Sequence, residues 1–172
     1  GKMIKRTYKY VVDHQGFLYL KDDPRRTVAT AYRDKKFLDE LYRGLRRRKN
    51  GLWIQHCAGE SNVVALDVQL DRDDLIVVFN SLDKNKDGQY VLTFAGTMNE
   101  TFSPNYLRFC PKSYMFFHRL TERNEQRYGP YGLLSSHIVH NISPYLSSTN
   151  SSIDDAISLI WEEEKHILLP LT

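Results

Sequence analysis

Apolar residues along this chain recur mostly at every second position, the period of a strand with one buried face. Thr7-Tyr8-Lys9-Tyr10-Val11-Val12 and Phe17-Leu18-Tyr19-Leu20 read as the first two strands. Asp13-His14-Gln15-Gly16 joins them as a short, glycine-containing hairpin loop should. Asp22-Asp23-Pro24 then breaks the pattern, and the period lengthens. Phe37, Leu38, Leu41, Tyr42 and Leu45 fall at helical spacing. They predict a helix over 34–48, with Asp34 as its cap and Asn50-Gly51 as its stop. Val64, Leu66, Val68 and Leu70 restore the alternation. The runs 75–80, 89–95, 106–109 and 114–120 read as further strands between polar or Gly/Pro breaks, and 133–142 fits either a strand or a helix. A Ser/Thr/Asn loop at 147–152 precedes a closing hairpin: 157–161, a turn at Glu162-Glu163-Glu164-Lys165, then 166–169. The pattern predicts an α+β fold, mainly antiparallel β-sheet with one principal helix packed against it.

Composition changes this picture only at the margins. A chain of 172 residues is expected to form a single domain, 1–172, large enough to bury a core without disulfides or metal. With 41% hydrophobic and 26% charged residues it falls in the ordinary globular range. The excess lies in the aromatic residues, 11 Tyr and 8 Phe, which suit strands and partner surfaces. A net charge of +3 permits contact with an anionic partner without demanding it. Cys57 and Cys110 form neither a CxxC pair nor a disulfide framework, which fits a reducing compartment. No apolar run approaches membrane-spanning length, and no secretory leader is read in Gly1-Lys2-Met3, an opening compatible with a trimmed form.

Asp83-Lys84-Asn85-Lys86-Asp87-Gly88 matches the opening of an EF-hand loop. The closing position, where a bidentate Glu belongs, is Phe94, and strand-like runs stand where the helices should be. The segment therefore predicts a polar turn between two strands, and no metal or cofactor is expected from it. His56, Cys57, Glu60 and Asn62 gather a thiol, an imidazole and a carboxylate that could form an activated nucleophile or part of a metal shell. Neighbouring strand residues point to opposite faces, however, and a packed Cys beside a polar turn is the commoner arrangement. His137 and His140 would share a face on a helix but not on a strand. Arg46-Arg47-Arg48-Lys49 is expected in the last turn of the helix, where the dipole favours cations. Four consecutive cations there could also neutralise the phosphates of RNA. Lys2, Lys5, Arg6 and Lys9 make a second basic stretch. No Gly-rich phosphate loop, GxSxG elbow, HExxH or paired-cysteine zinc pattern is present.

The run from Tyr8 to Asp23, with its Val-Asp-His-Gln-Gly turn between a Tyr-rich strand and an apolar one, resembles the opening of an uncharacterised family. That family is catalogued as UPF zero-five-nine-eight, and its human member is a chromosome-eight open-reading-frame protein. Similarity continues through Arg33-Asp34-Lys35-Lys36-Phe37-Leu38, Asn50-Gly51, Val77-Val78-Phe79 and the terminal hairpin. Cys57, Glu60 and Asn62 sit where that family carries a Cys-Gly-x-Glu-x-Asn segment. Ala58 departs from it where a Gly is expected, as does Ala65, near which the family carries an Arg. The resemblance implies a mitochondrial setting, on the matrix side, with bacterial relatives and no established activity.

These features favour a non-catalytic mitochondrial protein that serves as an accessory subunit of a large assembly. A mitochondrial ribosome, with protein and rRNA contacts, comes first, and a respiratory-chain complex second. The competing class is a small enzyme using Cys57 with His56 or Glu60.

Overall fold

A computed structural model of the protein describes residues 6–148 and 156–172. Lys2 and Lys5 of the second basic stretch, and most of the loop expected at 147–152, lie outside those residues. The chain opens with the expected hairpin. β1 (Arg6–Val12) pairs antiparallel with β2 (Leu18–Leu20), with Tyr10 opposite Leu20. The Asp13 carboxylate accepts from the N–H groups of Gln15 and Phe17, and Gly16 supplies the left-handed angle (φ +88°) that closes the turn.

Helix α1 (Lys35–Gly44) starts where the pattern predicts: the Asp34 carboxylate accepts from the N–H groups of Lys36 and Phe37. It stops a full turn earlier than 48. Leu45 takes extended backbone (φ −65°, ψ 135°) and buries its side chain completely, which pulls the chain out of the helix and into the core. Arg46 and Arg47 consequently form β3 (Arg46–Arg47), antiparallel to β4 (Trp53–Cys57), and are not the helix's last turn. Gly51 (φ +84°) shapes the turn between these strands. β4 continues through Ala58 and Gly59, both left-handed, into β5 (Glu60–Leu66). β5 lies parallel to β1 along its whole length, giving a mixed sheet of order β2-β1-β5-β4-β3.

β6 (Val77–Phe79) is buried throughout. The chain then forms an antiparallel meander, β7 (Ser81–Lys84), β8 (Tyr90–Phe94) and β9 (Met98–Thr101). The EF-hand-like segment is its first turn. Asn85 Oδ1 accepts from the N–H groups of Asp87 and Gln89, and Gly88 is left-handed. β10 (Leu107–Cys110) and β11 (Met115–Arg119) make the next hairpin. After α2 (Glu122–Tyr128), β12 (Tyr131–Leu134) returns between β11, antiparallel, and β6, parallel. The ambiguous run 133–142 divides, ending β12 and then forming α3 (Ser136–Ile142). A last meander, β13 (Leu146–Ser148), β14 (Ile157–Trp161) and β15 (Glu164–Ile167), leads to β16 (Leu169–Pro170), which pairs parallel with β10.

The β-dominated α+β class holds, with two corrections. Among the described residues there are three α-helices rather than one principal helix, and two of the sheets are mixed rather than antiparallel. Helices α2 and α3 have seven residues each, too few to lay down a helical stripe in sequence. The parallel pairs join strands far apart in the chain, so no turn announces them. An aromatic knot closes the core. Tyr42, Phe94 and Tyr128 meet pairwise with ring centroids 5.5–6.1 Å apart. The Tyr42 hydroxyl donates to the Ile76 carbonyl (2.8 Å) and the Tyr128 hydroxyl to the Tyr42 carbonyl (2.9 Å), so the buried phenols are satisfied.

Candidate functional site

The hairpin of β4 and β5 places the thiol and carboxylate candidates at its tip. Cys57 lies directly opposite Glu60, and His56 directly opposite Ser61, so His56 and Cys57 project from opposite faces of the sheet. His56 Nδ1 meets Ser61 Oγ at 2.9 Å, and the Asn62 amide donates to the Gln55 side-chain carbonyl at 2.6 Å. Imidazole and thiol are thus directed apart. Cys57 is exposed, contrary to the packed position expected for it, because the two-residue turn carries the strand ends beyond the core.

The cationic run forms the outer edge of the same sheet. Arg46, Arg47, Arg48 and Lys49 are all exposed. Arg46 donates from Nη1 to the Leu45 and Arg43 carbonyls, and Arg47 pairs with Asp73, leaving Arg48 and Lys49 at the hairpin turn. Two further arginines join them from other elements. Arg127 of α2 and Arg43 of α1 act, together with Arg46, on the hydroxyl of Tyr128, although burial is the stronger influence and raises that phenol's pKa. A face assembled from α1, β3 and α2 is therefore more cationic than the linear run suggests. Arginines on an edge strand also discourage pairing with a second sheet, a purely structural role for the same residues.

On the opposite end of α1 the molecule opens into a cleft of about 980 Å³. The β1–β2 loop contributes Gln15 and Phe17, and the approach to α1 contributes Tyr32, Arg33 and Lys35. The first meander adds Asn80, Ser81, Asp83 and Thr93, and α3 adds His137 and His140, whose shared face turns toward the opening. The β8–β9 turn, Ala95-Gly96-Thr97, forms the remaining wall and is tied to α1 by the buried Asp39. That carboxylate accepts from the Gly96 N–H (3.0 Å), the Thr97 N–H (2.8 Å) and the Thr97 hydroxyl (2.6 Å). Burial alone would push its pKa up. The Thr97 hydroxyl and the two N–H groups outweigh burial, with Arg43 adding to them, and hold it below the ordinary value. A Cβ on Gly96 would lie 2.2 Å from the Lys35 carbonyl oxygen, so only glycine allows the turn to approach the helix so closely.

Sequence reasoning found His137 and His140 but not the cleft, whose residues come from five separate stretches of chain. Among the described residues, no group of three or more His, Cys, Asp or Glu is placed to hold a metal ion, so the histidine pair stands without a third ligand. No described helix is long and apolar enough to cross a membrane.

The model of a family described as a domain of unknown function, DUF4505, matches residues 2–170, almost the entire chain. No solved structure matches it.

Proposed function

We propose that this chain, which belongs to the DUF4505 family, is a non-catalytic accessory subunit that grips RNA through its cationic hairpin within a larger assembly. The observation that carries this reading is the exposed run from Arg46 to Lys49, with Arg46 reaching the Arg43 carbonyl of α1 (3.1 Å) and α2, which carries the exposed Arg127, packed beside β3. Clustered guanidinium groups suit phosphate oxygens, which they bind in bidentate fashion. The patch presents no base-reading motif, so its contacts are with the backbone, and position rather than sequence is recognised. Ile160, Ile167 and Leu169 are 50–66% exposed near the C-terminus and offer an apolar strip for a neighbouring protein subunit. A mitochondrial ribosome suits both kinds of contact and is the first choice of assembly, with a respiratory-chain complex second. The mitochondrial setting rests on the resemblance of the N-terminal hairpin.

The test is a salt titration of RNA binding, comparing the protein with a variant carrying Arg46→Gln, Arg47→Gln and Arg48→Gln. Each neutralised phosphate contributes about 0.7–0.9 to the slope of log affinity against log salt, from single strand to duplex, so three lost contacts should flatten it by roughly 2–3. The thermal midpoint should hardly move, since the side chains are exposed. Equal slopes would leave the run with only its edge-protecting role. In parallel, the native protein from its source should co-migrate with a particle far heavier than 20.2 kDa.

A further inference from the structure

The cleft at the start of α1 is separate from the cationic hairpin. Lys35 and Gly44 mark the two ends of the helix, so the two regions stand roughly 14 Å apart at 1.5 Å rise per residue. From its shape and lining we infer that this cleft is a binding site for a small anionic ligand carrying an aromatic ring, of the mononucleotide class.

Three observations support the assignment. The first is size: about 980 Å³ lies at the upper end of the range, about 300–1,000 Å³, typical of small-molecule sites. The second is construction. The β8–β9 turn is held against α1 by the three hydrogen bonds to Asp39, and Asn80 fixes the same turn by donating from Nδ2 to the Ala95 carbonyl (3.3 Å). Ala95 is left-handed (φ +54°), a strained conformation for a residue with a Cβ and one that persists only where its surroundings impose it. That wall therefore stands preformed, and a ligand would not have to organise it.

The third is chemistry. Lys35 brings an exposed ammonium to the lining, and His137 and His140 bring two imidazoles. Among the described lining residues Asp83 is the only carboxylate. The balance suits an anion. Phe17 and Tyr32 add aromatic surface to the lining, with the Arg33 guanidinium 5.7 Å from the centre of the Phe17 ring. Lys35 lies in the same lining and can meet a phosphate attached to such a ring. The side-chain amides and hydroxyls around the cleft can meet the edges of a heterocycle.

The experiment is a titration of the isotope-labelled full chain with uridine monophosphate, followed by amide chemical shifts. Uridine and inorganic phosphate serve as separate arms. Saturable shifts are expected at the amides of Gly16, Gly96 and His137, with the mononucleotide binding at least about ten-fold more tightly than either part alone. Lys35→Gln and His140→Gln alter exposed side chains and should leave the fold intact, each weakening binding about ten-fold, which corresponds to 1.4 kcal/mol. The triple hairpin variant should bind the mononucleotide as the parent does, so this site can fail while the RNA reading stands, and the reverse. Absence of saturable shifts, shifts centred on the hairpin at 46–49, or an unchanged affinity in both single variants would overturn the site. Phosphate binding as tightly as the mononucleotide would remove the aromatic part of the assignment.

Discussion

Cys57 shows how far one side chain can be read from sequence. That His56 and Cys57 would face apart was legible, because neighbouring strand residues alternate; the two-residue hairpin that sets Cys57 opposite Glu60 was not. Nor was the exposure of Cys57, because the distance of a hairpin tip from the core depends on what the hairpin packs against. The difference alters what thiol labelling can reveal. A packed cysteine would react only after unfolding, whereas Cys57 should react with a maleimide in the native protein simply because it is exposed. Reaction there consequently says nothing of a nucleophile. Cys57→Ser should remove one native-state equivalent of thiol and leave the thermal midpoint unchanged. If Cys57 stays unlabelled until denaturant is added, this placement of the hairpin is wrong.

At the scale of elements, local signals located the long pieces, and tertiary contacts decided the short ones. Asp34 marked the start of α1 by chemistry that needs only its own chain neighbours. The end of α1 depended on Leu45 reaching a core that the sequence around it does not display. Strands β7 and β9 were missed for a similar reason: Ser81–Lys84 and Met98–Thr101 are mostly polar, and only their pairing with β8 makes them strands. The contact between α1 and the β8–β9 turn is the most consequential of these unannounced joints. Asp39→Ala would leave two N–H groups and a hydroxyl without their acceptor, at a cost of about 2–3 kcal/mol given about 1–3 for a buried unsatisfied group. Asp39→Asn keeps the shape and one acceptor oxygen, so it should cost less. Urea denaturation of the two variants checks the order, and equal stability in all three proteins would show that the carboxylate does not hold the turn. The alanine variant should also lose the cleft's affinity for its ligand, since the wall it anchors would be free to move.

For the molecule as a whole, the most general prediction concerns acid, and it turns on a histidine that hydrophobic patterning passes over. His118 sits in β11 with no exposed surface, among the rings of Phe79, Phe102 and Tyr106. Its Nε2 accepts from the Ser103 N–H (3.0 Å), which leaves Nδ1 to donate to the Arg119 carbonyl (2.7 Å), so the ring is satisfied only when neutral. Burial accordingly pushes its pKa down to about 4, against the opposing influence of the hydrogen bond to the Arg119 carbonyl. Between the ordinary value of 6.5 and about 4, the unfolded chain takes up a proton that the native protein refuses. Stability is therefore complete above the upper value and falls as the pH drops through that window, by about 1.4 kcal/mol per pH unit and roughly 3 kcal/mol in all. The carboxylate of Asp39 moves the other way. Its pKa lies below 3.8, so its contribution is lost only beneath that value, outside the histidine's window. His118→Gln can keep one acceptor and one donor without a titrating group. Its urea midpoint should be lower than the parent's at neutral pH, but the decline between pH 6.5 and 4 should be much shallower. An equally steep decline in the variant would assign the acid sensitivity to other groups and remove His118 as its source.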